Sequence, residues 1–304
     1  MLHLNIKNET SRLRALVLGI AFKNGLTPKI QDCYDPKSKM HVKSGTYPSE
    51  QDMIIEMQSL AKVFEKYDVC VYRPKIIENY NQIFSRDIGF VIEDKFIRAN
   101  ILPDRDQEIE AIDYILDQIP NDNKIILPEE CHVEGGDVMP WNNYIFIGTY
   151  SREDYPDYIT ARTNIKAVKA IQDLFPHKIV KSFELRKSND NAKENALHLD
   201  CCFQPIGKNK AIIHKNGFLK ENEFHWLLEF FGKNNIFEIT KEEMYQMNCN
   251  IFSISEDIIV SEKNFIRLNY WLKDKGFTVE EVSFEEIGKQ GGLLRCSTLP
   301  LVRD

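Results

Sequence analysis

Short apolar runs broken by polar turn residues recur along the chain. "FVIEDKFIRAN" turns at Glu93 to Lys95, and "DVMPWNNYIFIGTY" at Asn142-Asn143. "CFQPIGKNKAIIH" turns at Gly207 to Asn209, and "IFSISEDIIVSE" at Ser255 to Asp257. Apolar runs flanking such turn residues are a hairpin signal. After each hairpin the apolar spacing changes to a helical one. Ile109, Ile112, Ile115 and Leu116 share a face, as do Ile165, Val168, Ile171 and Leu174. Phe224, Leu227, Leu228 and Phe231 repeat the spacing, and so do Phe265, Leu268 and Leu272. A further β-type run closes each unit: "KIILP", "KIVKSF", "NIFEIT" and "FTVEEV".

A fifth copy is split between the ends of the chain. "LRALVLGI" and "GLLRCSTLPL" supply its hairpin strands, the helix around Met53, Met57, Leu60, Ala61 and Phe64 follows, and "VCVYRP" ends it. The expectation is an α/β propeller of five ββαβ units closing through the two ends. Equivalent parts of such repeats meet at a common centre. No linker-like stretch divides residues 1–304, which read as one domain.

Composition narrows the function classes. A net charge of −7 over 304 residues excludes the basic stripe of a nucleic-acid binder and suits a cationic small molecule. No apolar stretch approaches a membrane span, and no basic-then-apolar leader opens the sequence. The seven cysteines show no CxxC pairing, so reduced thiols in a cytoplasm are expected. The sequence specifies no cofactor, and a homo-oligomer is compatible with it but not dictated by it.

The residues leading into the first strands are polar. "SRD" (Ser85 to Asp87), "EGGD" (Glu134 to Asp137), "HLD" (His198 to Asp200) and "GGLLRC" ending at Cys296 would face one axis. Taken singly, each has a bland reading: a turn salt bridge, a glycine loop, a core histidine, a small buried cysteine. Their recurrence at one repeat position argues for a site. Cysteine with histidine is the pairing of nucleophilic catalysis. Carboxylates around it would suppress the thiolate unless the substrate is cationic. A guanidinium fits, being planar and held in-plane by carboxylates through paired hydrogen bonds. Metal binding is the rival use of such residues, but no zinc-type spacing is present and no metal is expected.

In this order, R-D, E-G-G-D, H-x-D and a final G-G-x-x-R-C-x-T-x-P-L resemble the guanidino-modifying enzymes of the pentein superfamily. These comprise arginine deiminases, agmatine iminohydrolases, dimethylarginine hydrolases and amidinotransferases. The resemblance runs from "SRLRALVLG" to "PLVRD". It implies that Cys296 forms a covalent amidino-thiol intermediate and that His198 acts as acid and then base. Glu134 would orient His198, and Asp87 and Asp200 would grip the guanidinium. Asp137 would touch substrate or shape its loop. Arg105 and Arg162 match positions that hold an α-carboxylate in several relatives, with Arg152 a competitor.

Within that group, Asp200 after the histidine favours an unmethylated guanidine over a dimethylated one. The reading preferred is hydrolysis of arginine or a relative. Amidino transfer to an amine is the alternative, with a dimethylarginine hydrolase or a non-catalytic binding pentein behind it. The segment 21–49 lacks clear periodicity and reads as a lid or a surface excursion.

Overall fold

The computed structural model describes residues 1–304. Its strands form five three-stranded sheets, each with an antiparallel hairpin and a parallel third strand. The first joins Gly89–Ile92 and Lys95–Arg98 to Lys124–Ile126. The second joins Val138–Trp141 and Tyr144–Thr149 to Ile179–Glu184. Phe203–Ile206, Lys210–Ile213 and Ile236–Glu238 make the third, and Phe252–Ser253, Ile258–Glu262 and Thr278–Val282 the fourth. In the fifth, Leu13–Leu18 pairs with Thr298–Arg303 on one side and Cys70–Tyr72 on the other. The five-unit α/β arrangement read from the pattern is the one observed.

Local chemistry sets the hairpins. Their first loop residues Glu93, Asn142 and Gly207 have φ of 55°, 54° and 57°. That left-handed backbone matches tight hairpin turns to the twist of the strands. Burial then orders each sheet radially. Every residue of Gly89–Ile92, Val138–Trp141 and Phe203–Ile206 is buried, whereas the third strands Cys70–Tyr72, Lys124–Ile126 and Ile236–Glu238 are largely accessible. First strands therefore lie at the centre and third strands at the rim.

Helices Glu50–Lys66, Ile165–Leu174, Glu221–Phe231 and Ile266–Asp274 bury most of the apolar positions described above, but Ile165 and Leu174, at the two ends of theirs, are exposed. The expected helix through Ile109 is instead two short turns, Gln107–Glu110 and Asp113–Leu116. Glu108 on the first of them is drawn inward to an ion pair with Arg105. Ile109, Ile112 and Ile115 are still fully buried.

The segment 21–49 holds a helix, Pro36–Ser44, that apolar spacing did not indicate. Asp35 caps it by accepting from the Lys37 and Ser38 amides, both at 2.9 Å. Pro36 takes the first position and Gly45 ends it at φ 69°. Its buried residues are Pro36, Lys37 and Ser38, so it shows no apolar stripe. No helix is long and apolar enough to cross a membrane.

Candidate active site

The central ends of the sheets deliver the polar residues. Asp87, Asn250 and Cys296 each lie two residues before the first strand of their sheet. Glu134 and His198 are the N-caps of short 3-10 turns, Gly135–Asp137 and Leu199–Cys201, that lead into theirs. All are buried.

His198 is held between two acids. Its Nε2 lies 2.6 Å from Glu134 Oε2, and its Nδ1 is 3.7 Å from Asp87 Oδ1. Burial pushes the imidazole toward its neutral form, but Asp87 and the Glu134 hydrogen bond outweigh it and raise its pKa. Burial likewise disfavours the Glu134 carboxylate, yet Arg162 and His198 hold it below the usual range. The glycine pair before Asp137 has a steric reason. A Cβ on Gly136 would stand 2.6 Å from His198 Nδ1, so only glycine lets the loop close on the ring.

Cys296 Sγ receives the Asn250 Nδ2 amide at 3.1 Å and lies 3.6 Å from Asp200 Oδ2. Burial, then Asp200 and Asp87, push the thiol well above its ordinary pKa. The free protein therefore keeps it protonated near neutrality, and an incoming cation is what would release the thiolate. Asp200 Oδ2 also accepts from Arg295 Nη1 at 2.9 Å. Arg295, fully buried, reaches Glu9 at 3.0 Å and the Val138 carbonyl at 2.9 Å.

A cavity of about 290 Å³ opens on this centre. Asp87, His198 and Cys296 line it, and Asp87 Oδ1 is buried with no hydrogen-bond partner. The segment 21–49 forms one wall, through Asn24, Tyr34, Asp35 and Tyr47 among others. Gly291, at φ 79°, and Gly292 form another.

Expectations for five residues change. Asp137 does not face the cavity: its Oδ1 accepts from the Leu199 amide at 2.8 Å and its Oδ2 from Thr163 at 2.7 Å. It ties two loops together. Arg105 and Arg162 line the cavity but are consumed by internal acids. Arg105 forks onto Glu108 at 2.7 and 2.9 Å and reaches Asp87 Oδ2 at 2.9 Å. Arg162 meets both Glu134 oxygens at 3.0 Å, the Tyr34 carbonyl at 2.8 Å and the Ile159 carbonyl at 2.6 Å. Neither is an unpaired cation in this structure. Asp200 sits behind the sulfur rather than on the cavity wall, shared with Arg295. Arg152 is exposed and does not line the cavity.

Sequence reading missed Asn250, Glu108 and Arg295. Asn250 had a signal: its register before "IFSIS" is that of Asp87 and Cys296 in their own sheets. Ligand atoms of Asp87, Glu134 and His198 lie within 4.8 Å of one another, a spacing a metal ion could use. Arg105 pairs with Asp87 and Arg162 with Glu134 in the same cluster.

The family match and the fold together place the chain among the pentein-type guanidino-group enzymes. The chain belongs to the family described as N,N dimethylarginine dimethylhydrolase, eukaryotic, whose model matches residues 37–303. Among curated proteins it is 28% identical over 224 residues to the uncharacterized protein YkgA of Bacillus subtilis (strain 168), covering 73% of this chain and 70% of that one. Its fold is similar to the N-terminal domain of ArgZ, an arginine dihydrolase from the ornithine-ammonia cycle in cyanobacteria. There the TM-score is 0.78 at 16% identity, over 95% of this chain and 98% of that domain. The inosamine-phosphate amidinotransferase of Streptomyces griseus matches with a TM-score of 0.77 at 14% identity, over 100% and 97% of the two chains.

Proposed function

We propose that this protein is a cysteine-dependent hydrolase of the guanidino group of arginine or a related guanidino compound. The observation that carries the reading is the convergence on one cavity of the Cys296 thiol, the His198 imidazole and the unpartnered Asp87 Oδ1. A guanidinium donating to Asp87 brings positive charge beside a thiol that the carboxylates otherwise keep protonated, and so lowers its pKa. The thiol proton passes to solvent as the guanidinium binds, and the Cys296 thiolate attacks the guanidinium carbon. A C–S bond forms, a C–N bond breaks, and protonated His198 gives its proton to the departing nitrogen. In the second half His198 takes a proton from water, which attacks the same carbon. The C–S bond breaks and a ureido product leaves. Glu134 keeps the imidazole oriented throughout, as the third member of a triad does.

The family description favours a second reading, in which the departing group is dimethylamine from a methylated guanidine. Amidino transfer shares the covalent intermediate and replaces water with an amine. Incubation with arginine, dimethylarginine and simple guanidines, with products identified by mass spectrometry, separates these. Ammonia with a ureido product supports the first reading and dimethylamine the second. A new guanidine formed only when an amine is added supports transfer. In every case Cys296→Ser should abolish turnover, and full activity in that variant would sink the mechanism.

A further inference from the structure

A second cavity, of about 230 Å³, is lined by Arg186, Lys193, Glu194, His214, Asn216 and Lys241. It shares no lining residue with the catalytic cavity, so the chemistry at Cys296 leaves it unexplained. Four segments build it. Arg186 follows the strand Ile179–Glu184, and His214 and Asn216 follow Lys210–Ile213. Lys193 and Glu194 belong to the 3-10 turn Ala192–Glu194, and Lys241 begins the helix Lys241–Tyr245. No lining residue is apolar, and three cations stand against one carboxylate in a chain whose net charge is −7. Such a lining offers nothing to an apolar ligand and attracts an anion.

The donors are placed but largely unspent. His214 is only 5% exposed. Its amide donates to the Cys202 carbonyl at 2.8 Å, and its Nδ1 lies 2.8 Å from the Ile239 carbonyl. A carbonyl only accepts, so Nδ1 carries the hydrogen and Nε2 is left without a protein partner. Arg186 spends Nε on the Asn216 carbonyl at 2.8 Å and keeps its two terminal nitrogens unbonded. Lys193 leans on Glu242 at 2.6 Å and Lys241 on Glu194, exposed pairs that exchange readily for a better anion.

We propose that this cavity binds a phosphate dianion, either the free ion or a small phosphate monoester. The Arg186 fork matches two phosphate oxygens. Lys193 and Lys241 supply charge from the opposite segments. His214 Nε2 takes the hydrogen of a phosphate hydroxyl or, once protonated, donates to an oxygen. A carboxylate, with two oxygens in one plane, cannot use donors arriving from four segments, whereas a tetrahedral phosphate can. The site stands independently of the guanidine reading.

The test titrates the whole chain with sodium phosphate and with glycerol 3-phosphate, at an ionic strength held constant with sodium chloride. Calorimetry gives the affinity and thermal melting the Tm. The expected result is saturable binding that raises Tm beyond the effect of chloride. Affinity should fall about tenfold or more in Arg186→Gln and in Lys241→Gln, the scale of one lost charged hydrogen bond. It should rise in Glu194→Gln, which removes the competing carboxylate; a purely structural role would not move affinity in opposite directions. Tighter binding of the ester assigns an organic phosphate and equal binding the free ion, and either supports the site. Affinity unchanged in both Arg186→Gln and Lys241→Gln overturns the proposal, because the ion then binds elsewhere. Absence of saturable binding, or a Tm rise no larger than that of chloride, overturns it as well.

Discussion

Asn250 holds Cys296 at two points: its Nδ2 donates to Sγ at 3.1 Å, and its Oδ1 accepts from the cysteine's own amide at 3.1 Å. The same oxygen takes the Leu293 amide at 3.2 Å, so one side chain fixes both the loop and the sulfur. The carboxylates near the thiol oppose its ionisation, and this amide favours it. Asn250→Ala is expected to lower kcat by about 10²-fold, the scale of losing one oriented donor. Asn250→Asp should also move the thiol's alkylation profile to higher pH. Alkylation rate against pH, measured by mass spectrometry, checks both. A variant with wild-type kcat and profile would remove Asn250 from the site.

Charge around the thiol should also govern which electrophiles reach it. Burial, Asp200 and Asp87 keep Cys296 protonated near neutrality. Neutral iodoacetamide should therefore label it slowly at pH 7 and faster as pH rises. A cationic amidine electrophile of similar size should label it much faster at the same pH, because it pairs with Asp87 on entry. Asp87→Asn should narrow the gap between the two reagents.

The pH dependence of His198 has a defined sign. Asp87 and Glu134 raise its pKa despite burial, so the imidazolium persists above the ordinary value of about 6.5. Its contribution to stability is fully present below that unfolded-state value and is lost as pH rises through the folded one. A reaction needing the protonated ring should hold its rate through neutrality and fall on the alkaline side. In Glu134→Gln the alkaline limb should move to lower pH. A pH–rate profile with NMR titration of the His198 ring measures both. Glu134 itself is depressed, and its stabilisation is present above about 4.5 and lost as pH falls.

Arg295 is the strut behind the nucleophile. It is fully buried and joins Glu9 to Asp200 while capping the Gly136 and Val138 carbonyls. Arg295→Met leaves two buried carboxylates uncompensated and should cost about 3–5 kcal/mol, read as a fall in Tm. Combining it with Glu9→Gln should recover part of the loss, because one orphaned charge is then gone.

Much of this was legible in the chain. Apolar runs flanking polar turns marked the four local hairpins, because such a turn is set by neighbouring residues. The polar lead-ins pointed to a centre because repeats superpose equivalent positions. Asn250 escaped notice because its lead-in, "NCN", carries no charge, although its register matched Cys296. Arg162 was visible, but its partner was not: Glu134 lies 28 residues away and meets it only in the folded protein. Helix Pro36–Ser44 hid because its buried side is proline, lysine and serine, while its Asp35, Pro36 and Gly45 punctuation was there to be read.

The sheet carrying Cys296 is stitched from strands at opposite ends of the described sequence, with Leu18 facing Thr298 and Leu13 facing Arg303. Such a pairing must close a very long loop before any contact rewards it, so it belongs to the slow, late part of folding. A refolding chain should regain its helical signal and four of its sheets first, with the thiol still unplaced. Catalytic power would then return in a lagging phase of its own, making recovered turnover a clock for the last seam to close.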